Sequence, residues 1–587
     1  MDTGLDGDRA AVRRLAPPVT WRTALLWLAP LIFLALFYFY PLGSILNTSF
    51  ARGTGGAGGA FREALTSPAE LGVVWFTFWQ ATISTLLTLL VGLPGAYLLA
   101  RYDFRGKSLL LALTGIPFVM PTLVVAAAFN ALLGPHGWVN LALMSLLHLA
   151  QPPVQFTNTL IAILVAHVFY NTTIVLRMVG DFWSHIDPRM SQAAQMLGAN
   201  RLQTLLHVTL PLLMPAIAAA ALLVFIFDFT SFGVILILGG PHFATMEVEI
   251  YYQTIGLFNL PLAAALSVIQ LVSTLGLTLI YSRLTARLSR PLSLRPRGIT
   301  QRKPASWRAR LFSIGMVAFL LTLTITPLLA LASRSVIRFE SQGGRATQAS
   351  SGFTLDYYRQ LGANQNESMF YASPSTAILI SLGYASATVI LALALGLPAS
   401  WALVREEEKG RISLVNRVLD PLLMLPLGTS AVTLGLGFII ALDRPPLDLR
   451  ASPLLVPLAH TLVAFPFVVR SLTPSLRSIR PRLRQAASVM GATPRQVLRY
   501  IDLPMVGRAL LVAATFAFTI SLGEFGATAL IFRPEYPTVP IAIYRLITRP
   551  GSSNYGQALA LSTILMAVTA VGMLSIERFR IADVGEF

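Results

Sequence analysis

The sequence predicts an all-α polytopic membrane protein with about twelve transmembrane helices, arranged as two direct six-helix repeats. Three observations carry this expectation. Of 587 residues, 55% are hydrophobic and 12% charged, with a mean hydropathy of +0.67, whereas a soluble domain carries about 25% charged residues. Runs such as "TALLWLAPLIFLALFYFYPLGSIL" (23–46) exceed the roughly 20 apolar residues that cross a bilayer. A polar helical stretch, "QAAQMLGANRLQTLLHVTLPL" (192–212), returns as "QAASVMGATPRQVLRYIDLPM" (485–505).

Taken in order, the candidate spans lie at 23–47, 72–100, 109–133, 157–180, 211–238, 259–282, 310–334, 375–404, 415–442, 452–473, 505–531 and 557–576. The first apolar run follows Arg9, Arg13 and Arg14 without a convincing small-residue cleavage site, so it reads as a retained helix. Segment 138–150 is apolar but too short to span, and an interfacial or re-entrant helix is expected there. The 42 Gly and 37 Pro suit membrane helices, which tolerate both.

A net charge of +18 would suit a nucleic-acid binder, but its placement argues otherwise. The basic residues gather in short loops: Arg101, Arg105 and Lys107; Arg189 and Arg201; Arg405, Lys409 and Arg411; Arg480, Arg482, Arg484, Arg495 and Arg499. Loops 135–156 and 239–257 have none. This is the positive-inside pattern, with both termini cytoplasmic and membrane lipid, not nucleic acid, as the surroundings. With no Cys, disulfides, thiolate nucleophiles and Cys-ligated metals are excluded.

The halves are 1–282 and 310–587, joined by a basic connector, 283–309, that is rich in Pro and Ser. Gln192 and Gln485 are 293 positions apart (485 − 192). The same offset relates His167 to His460, Arg177 to Arg470, Pro188 to Pro481, Gly198 to Gly491, Pro211 to Pro504 and Phe232-Gly233 to Phe525-Gly526. Further upstream, 92–107 matches 396–411 at an offset of 304. Six spans per half leave both halves facing the same way, so the pseudo-two-fold axis lies along the membrane normal.

In each polar segment (186–211 and 479–504) a proline, Pro188 or Pro481, suits a helix start. Ala193 and Ala194, or Ala486 and Ala487, leave one face free of bulk. Gly198 or Gly491 can take positive φ and turn the chain. A second short helix with Leu202, Leu205 and Leu206 follows, and Leu210-Pro211 or Leu503-Pro504 opens the next span. The product is a helix–turn–helix on the cytoplasmic face. An amphipathic helix in the headgroups would need no repeat of internal spacing; a docking element for two identical partners would. The chain's Gly-Lys-Ser, Gly106-Lys107-Ser108, has Arg101 where a phosphate-binding loop needs glycine, and reads as a basic anchor at a membrane edge.

At these segments the chain resembles the permease subunits of binding-protein-dependent ABC importers. Their coupling loop reads Glu-Ala-Ala, three residues, Gly, nine residues, Ile-x-Leu-Pro. Here stand Gln192-Ala193-Ala194, Gly198 and Val208-Thr209-Leu210-Pro211, then Gln485-Ala486-Ala487, Gly491 and Ile501-Asp502-Leu503-Pro504. Gln replaces the family's Glu in both copies, which removes a charge; Arg189, Arg201, Arg482 or Arg495 could supply charged contacts instead. The resemblance covers nearly the whole chain as two fused permeases. It implies the type I ABC importer permease fold in a prokaryotic plasma (inner) membrane. It also implies a transport subunit with no catalytic residue, metal or cofactor of its own. ATP and Mg would be bound by two copies of an ABC ATPase subunit, and solute delivered by a periplasmic or lipid-anchored binding protein.

Segments 227–240, "FDFTSFGVILILGG", and 520–532, "ISLGEFGATALIF", resemble the fifth helix of permeases for thiamine, ferric iron and molybdate. Fusion of two halves favours the thiamine and ferric-iron branch. Segments 244–256 and 536–547 resemble outer loops of the thiamine permease, so the resemblance implies thiamine, with ferric iron as the alternative. A secondary transporter with two six-helix halves is the rival of another class; it would have no use for a duplicated docking loop.

Asp228 and Glu524 are the intramembrane carboxylates, and such residues usually face a cavity. Asp228 aligns with Ser521, and Ser231 with Glu524, so these four are candidates for the translocation path. A helix-locking hydrogen bond is the other reading of the acids. His167 and His460 are assigned to helix packing rather than iron ligation. Glu247 and Glu249 are expected to be solvated loop charges, and 354–361 an outer amphipathic helix.

Overall fold

In a bilayer core every backbone N–H and C=O has to be bonded within the protein, so the apolar runs of this chain fold as helices. The computed structural model describes residues 21–50, 58–288, 301–340, 348–362, 372–408, 414–443, 445, 447–479 and 481–581. Arg9, Arg13, Arg14, Lys409, Arg411, Arg480 and residues 289–300 of the connector lie outside them. Among the described residues eleven helices are long and apolar enough to cross a membrane, or twelve if one bent pair is counted. The described residues are almost wholly helical, as expected of a multi-pass membrane protein.

Six spans form the first half: Leu26–Phe50, Pro68–Arg101, a broken third (Lys107–Val119 and Thr122–Leu133), Leu160–Ser184, Leu210–Phe229 continued by Gly233–Leu238, and Leu260–Leu288. The second half repeats them as Trp307–Arg334, Pro374–Glu408, a broken ninth (Leu414–Met424 and Ala431–Ala441), Leu455–Ser478, Leu503–Gly523 continued by Gly526–Ile531, and Ser552–Ile581. A small hairpin, β1 (Ile337–Glu340) with β2 (Gln348–Phe353), precedes the short helix Asp356–Gln360, which falls in the segment expected to be amphipathic.

The third and ninth spans are not the single helices their hydropathy predicts. Pro121 forces Met120 into an extended conformation (ψ 138°) and ends the helix before it. In the ninth, Ser430 accepts from the N–H groups of Val432 and Thr433 and starts a new helix at 96° to the old one. The short segment expected near 138–150 is the helix Trp138–Leu147. Asn140 pins it by donating to the Gly134 and Val154 carbonyls and accepting from the Val154 N–H.

Glycines set the tightest packing. A Cβ on Gly92 would meet Val175 Cβ at 2.6 Å, and one on Gly396 would meet Val468 Cγ1 at 2.6 Å. These are equivalent contacts, between the second and fourth and between the eighth and tenth spans. Gly92→Val and Gly396→Val should each lower the melting temperature of the purified protein, by the ~1–3 kcal/mol that overpacking costs. An unshifted melting temperature for both would mean that the spans are less closely packed.

The first helix of each half packs on its own half and also reaches across to the other. Tyr40–Phe50 packs on Ala431–Ala441, and Trp307–Arg334 packs on both pieces of the third span. The Tyr38 hydroxyl bonds Thr429 Oγ1 at 2.7 Å. A Cβ on Gly437 would lie 3.0 Å from Pro41. This exchange interlocks the halves and places the broken spans three, five, nine and eleven around their common interface.

Candidate functional site

Two places gather the residues singled out by the sequence. The first is the pair of polar loops. Asp187 caps the helix Pro188–Met196 by accepting from the Arg189 N–H. Gly198 (φ +91°) ends it, with Ala199 N–H donating to the Ala194 carbonyl. Asn200 and Gln203 then cap each other to start the next turn. The second copy follows the same plan: Pro481–Val489, Gly491 (φ +84°), Ala492 N–H to the Ala487 carbonyl, then Thr493 paired with Gln496. Each copy passes through one π-turn, Leu205–Thr209 or Leu498–Asp502, into Leu210-Pro211 or Leu503-Pro504.

What these loops present is apolar and uncovered. Met196 and Leu197 are 88% and 90% exposed; their equivalents Val489 and Met490 are both 88% exposed. Gln192, Ala193, Gln485 and Ala486 are exposed beside them, while Ala194 and Ala487 are half-buried. The copies differ in how they are fastened. Arg484 Nε donates to Asp502 Oδ1 at 2.8 Å in the second, where the first has Ser191 and Thr209 hydroxyls at 3.5 Å.

The second place is a cavity of about 370 Å³ between the halves, at the breaks of spans five and eleven. Breaking a helix inside a membrane frees N–H groups that need partners. Glu524 supplies one set: its carboxylate accepts from the Ala527 and Thr528 N–H groups and from the Thr528 hydroxyl. Asp228 Oδ1 accepts from Asn171 Nδ2 at 2.7 Å, and the Asp228 carbonyl accepts from Gln80 Nε2 at 2.9 Å. Asp228 Oδ2 has no hydrogen-bond partner among the described residues.

Each acid has a buried histidine. His167 bonds Ser84 and Ser231, both at 2.9 Å, and its Nδ1 lies 3.4 Å from Asp228. His460 bonds Ser521 at 2.7 Å and Thr528 at 2.8 Å, and its Nε2 lies 3.3 Å from Glu524. Ser521 in turn donates to Thr388 at 3.2 Å. Thr388 is the offset-304 counterpart of Ser84. Both halves therefore build one cluster of His, acid and hydroxyls, with the acid and Ser231 or Ser521 exchanged across one helical turn. Packing, the role expected of the histidines, is only part of what they do: the fold brings them to carboxylates far along the chain. The signal was the offset of 293 shared by the two His, with an acid three positions out of that register in the second half (228 + 293 = 521, against Glu524).

Glu247 is also a correction. It is 1% exposed rather than solvated. Its segment folds inward as the helix Met246–Tyr251, so that Glu247 accepts from Gln270 and, across the halves, from Ser430. Glu249 accepts from Gln253 at 2.7 Å.

At the axis, Phe232 and its counterpart Phe525 stack with centroids 5.4 Å apart and planes 23° apart. Tyr251 flanks Phe232 at 5.4 Å, and Tyr544 flanks Phe525 at 5.6 Å. The cavity wall includes Phe227 and Phe516, earlier on the same spans. Those spans start at the polar loops, so the cavity lies on the loop side of the stack. Of the four rings, Phe232 and Phe525 border the cavity. Nothing in the sequence, beyond the repeated Phe-Gly, pointed to this stack.

The family model described as "Binding-protein-dependent transport system inner membrane component" matches residues 92–290. The "Thiamine transport system permease protein ThiP" of Brucella abortus (strain 2308) is 30% identical over 535 residues, covering 90% of this chain and 90% of that protein. The protein of the same name from Escherichia coli (strain K12) is 27% identical over 503 residues, covering 84% and 86%. Among solved structures, a bacterial ABC transporter involved in the import of the acidic polysaccharide alginate matches at 18% identity with a TM-score of 0.39. It covers 46% of this chain and 96% of that chain.

Proposed function

The chain belongs to the binding-protein-dependent transport system inner membrane components, as a permease of an ABC importer, and we propose that its solute is thiamine. The observation that carries this is the similarity to thiamine permeases along 90% of both chains. The cavity agrees with it: an aromatic-walled space bordered by Asp228, Glu247 and Glu524 suits a flat organic cation. The test is uptake of labelled thiamine by proteoliposomes holding the complete transporter, in competition with thiamine phosphates and ferric complexes. Inhibition by a ferric complex and not by unlabelled thiamine would overturn the assignment.

The mechanism follows from the two sites. Two copies of an ATPase subunit seat on the loops around Gly198 and Gly491, through the exposed pairs Met196-Leu197 and Val489-Met490. Hydrolysis happens on those partners; this chain converts their closure into rocking of its halves. A solute-binding protein delivers on the opposite face. Because each loop leads straight into span five or eleven, a push on it is carried to the breaks at Asp228–Phe232 and Glu524–Phe525. The path residues, on this reading, are Asp228, Ser231, Ser521 and Glu524, held in register by His167 and His460.

The reading places both termini and the connector in the cytoplasm. Arg302, at the connector's end, supports it: its N–H donates to the Arg101 carbonyl, and its carbonyl accepts from Asp103 N–H, beside a basic inner loop. A single Cys at position 296, in a chain with no native Cys, should be closed to an impermeant thiol reagent in intact cells and labelled once they are opened. Labelling from outside would reverse the topology.

A further inference from the structure

The aromatic quartet is larger than a seal requires. Four rings from equivalent positions of the two halves meet on the axis, with the Phe232–Phe525 stack at the end of the cavity. Two aliphatic side chains would close such a gap as well. Beside it Asp228, fully buried, keeps Oδ2 without a partner among the described residues. A buried carboxylate oxygen left without a partner is costly, and it marks a place where a donor belongs for part of the cycle.

We propose that Phe232 and Phe525 form a transient binding site for a flat heteroaromatic cation, taking its ring between their faces when the halves part, while Asp228 Oδ2 accepts from a donor on the same solute. This rests on the solute reading above and adds a site within the permease itself. The geometry permits it. Rings in contact sit about 3.5–4.0 Å apart, so a sandwiched ring needs the phenylalanine planes about 7–8 Å apart. From rings now stacked with centroids 5.4 Å apart that is an opening of roughly 2–4 Å, which rigid-body rotation of the halves about their interface can supply. A positive ring between two aromatic faces gains the cation–π attraction, which is strongest away from water. When the halves close, the phenylalanines restack on each other and expel the ring toward the cavity, so the contact that binds the solute also gives it direction.

The test is equilibrium binding of labelled thiamine to the complete transporter, without its binding protein, in nanodiscs, alongside thiamine uptake in proteoliposomes. Saturable binding is expected, competed poorly by tetramethylammonium, which lacks the ring, and by a neutral aminopyrimidine, which lacks the cation. Phe232→Leu and Phe525→Leu should each weaken binding by about tenfold or more. Phe232→Tyr and Phe525→Tyr, which keep the ring, should stay within about threefold of wild type. Asp228→Asn should weaken binding, and Phe319→Leu, a change on an exposed residue of the seventh span, should not alter it. Leu variants that bind as wild type overturn the site. So does a wild-type transporter that imports thiamine yet binds none, while the solute reading stands. If it neither imports nor binds thiamine, the solute reading fails and the site fails with it.

Discussion

ATP-driven uptake should fall at least about tenfold when Gly198 or Gly491 is replaced by valine, with the chain still inserted in the membrane. Space is not the obstacle: a Cβ built on either glycine meets nothing within 4 Å. The obstacle is φ, +91° at Gly198 and +84° at Gly491. For an L-residue with a branched Cβ this region costs roughly 1–3 kcal/mol. These turns present Met196-Leu197 and Val489-Met490, so the strain is relieved by tilting the tips away from the docking geometry. At 1.4 kcal/mol per factor of ten, a cost near 2 kcal/mol leaves only a few per cent of loops competent. Asn tolerates this conformation better than other residues, so Gly198→Asn and Gly491→Asn should retain much of the uptake. Full uptake by both valine variants would show that the turn geometry is not used.

Loss of folded protein is the expected result of Glu524→Ala. The side chain bonds two backbone N–H groups and a hydroxyl at the break of the eleventh span, and lies 3.3 Å from His460. Each buried donor left without a partner costs about 1–3 kcal/mol, and no water in the bilayer replaces the carboxylate. Glu524→Gln should be intermediate. Its amide has one acceptor oxygen, so one of the two N–H groups faces an NH₂ donor. A lower melting temperature, folded protein and reduced uptake are expected. Wild-type yield and melting temperature for Glu524→Ala would contradict the cap. The two readings of this acid at the outset, path or lock, are thus not exclusive: Glu524 locks the break and borders the cavity.

Much of this was legible because it repeats. Hydropathy placed the spans, and the offset of 293 between Gln192 and Gln485 identified the polar loops down to their turning glycines. The breaks were harder. A hydropathy window averages over Met120-Pro121 and Thr429-Ser430, where one extended residue or one capping hydroxyl divides a run that stays apolar throughout. The partners of Asp228 and Glu524 were out of reach for another reason. Periodicity reports neighbours on one helix, whereas His167 and His460 meet their acids across helices. Glu247 misled because a charge in a loop between spans is normally solvated; the short helix Met246–Tyr251 returned it to Gln270 and Ser430.

The central claim is that the duplicated loops seat two ATPase subunits. Because the chain has no native Cys, Met196→Cys and Val489→Cys each introduce a single thiol at an 88% exposed position. The measurement is thiol cross-linking of each variant in membranes to its partner ATPase carrying one Cys in its docking cleft. The account predicts an adduct from each position, and from the double variant a product holding two ATPase copies per chain. An adduct from neither position, or the same single copy captured from both, would contradict it.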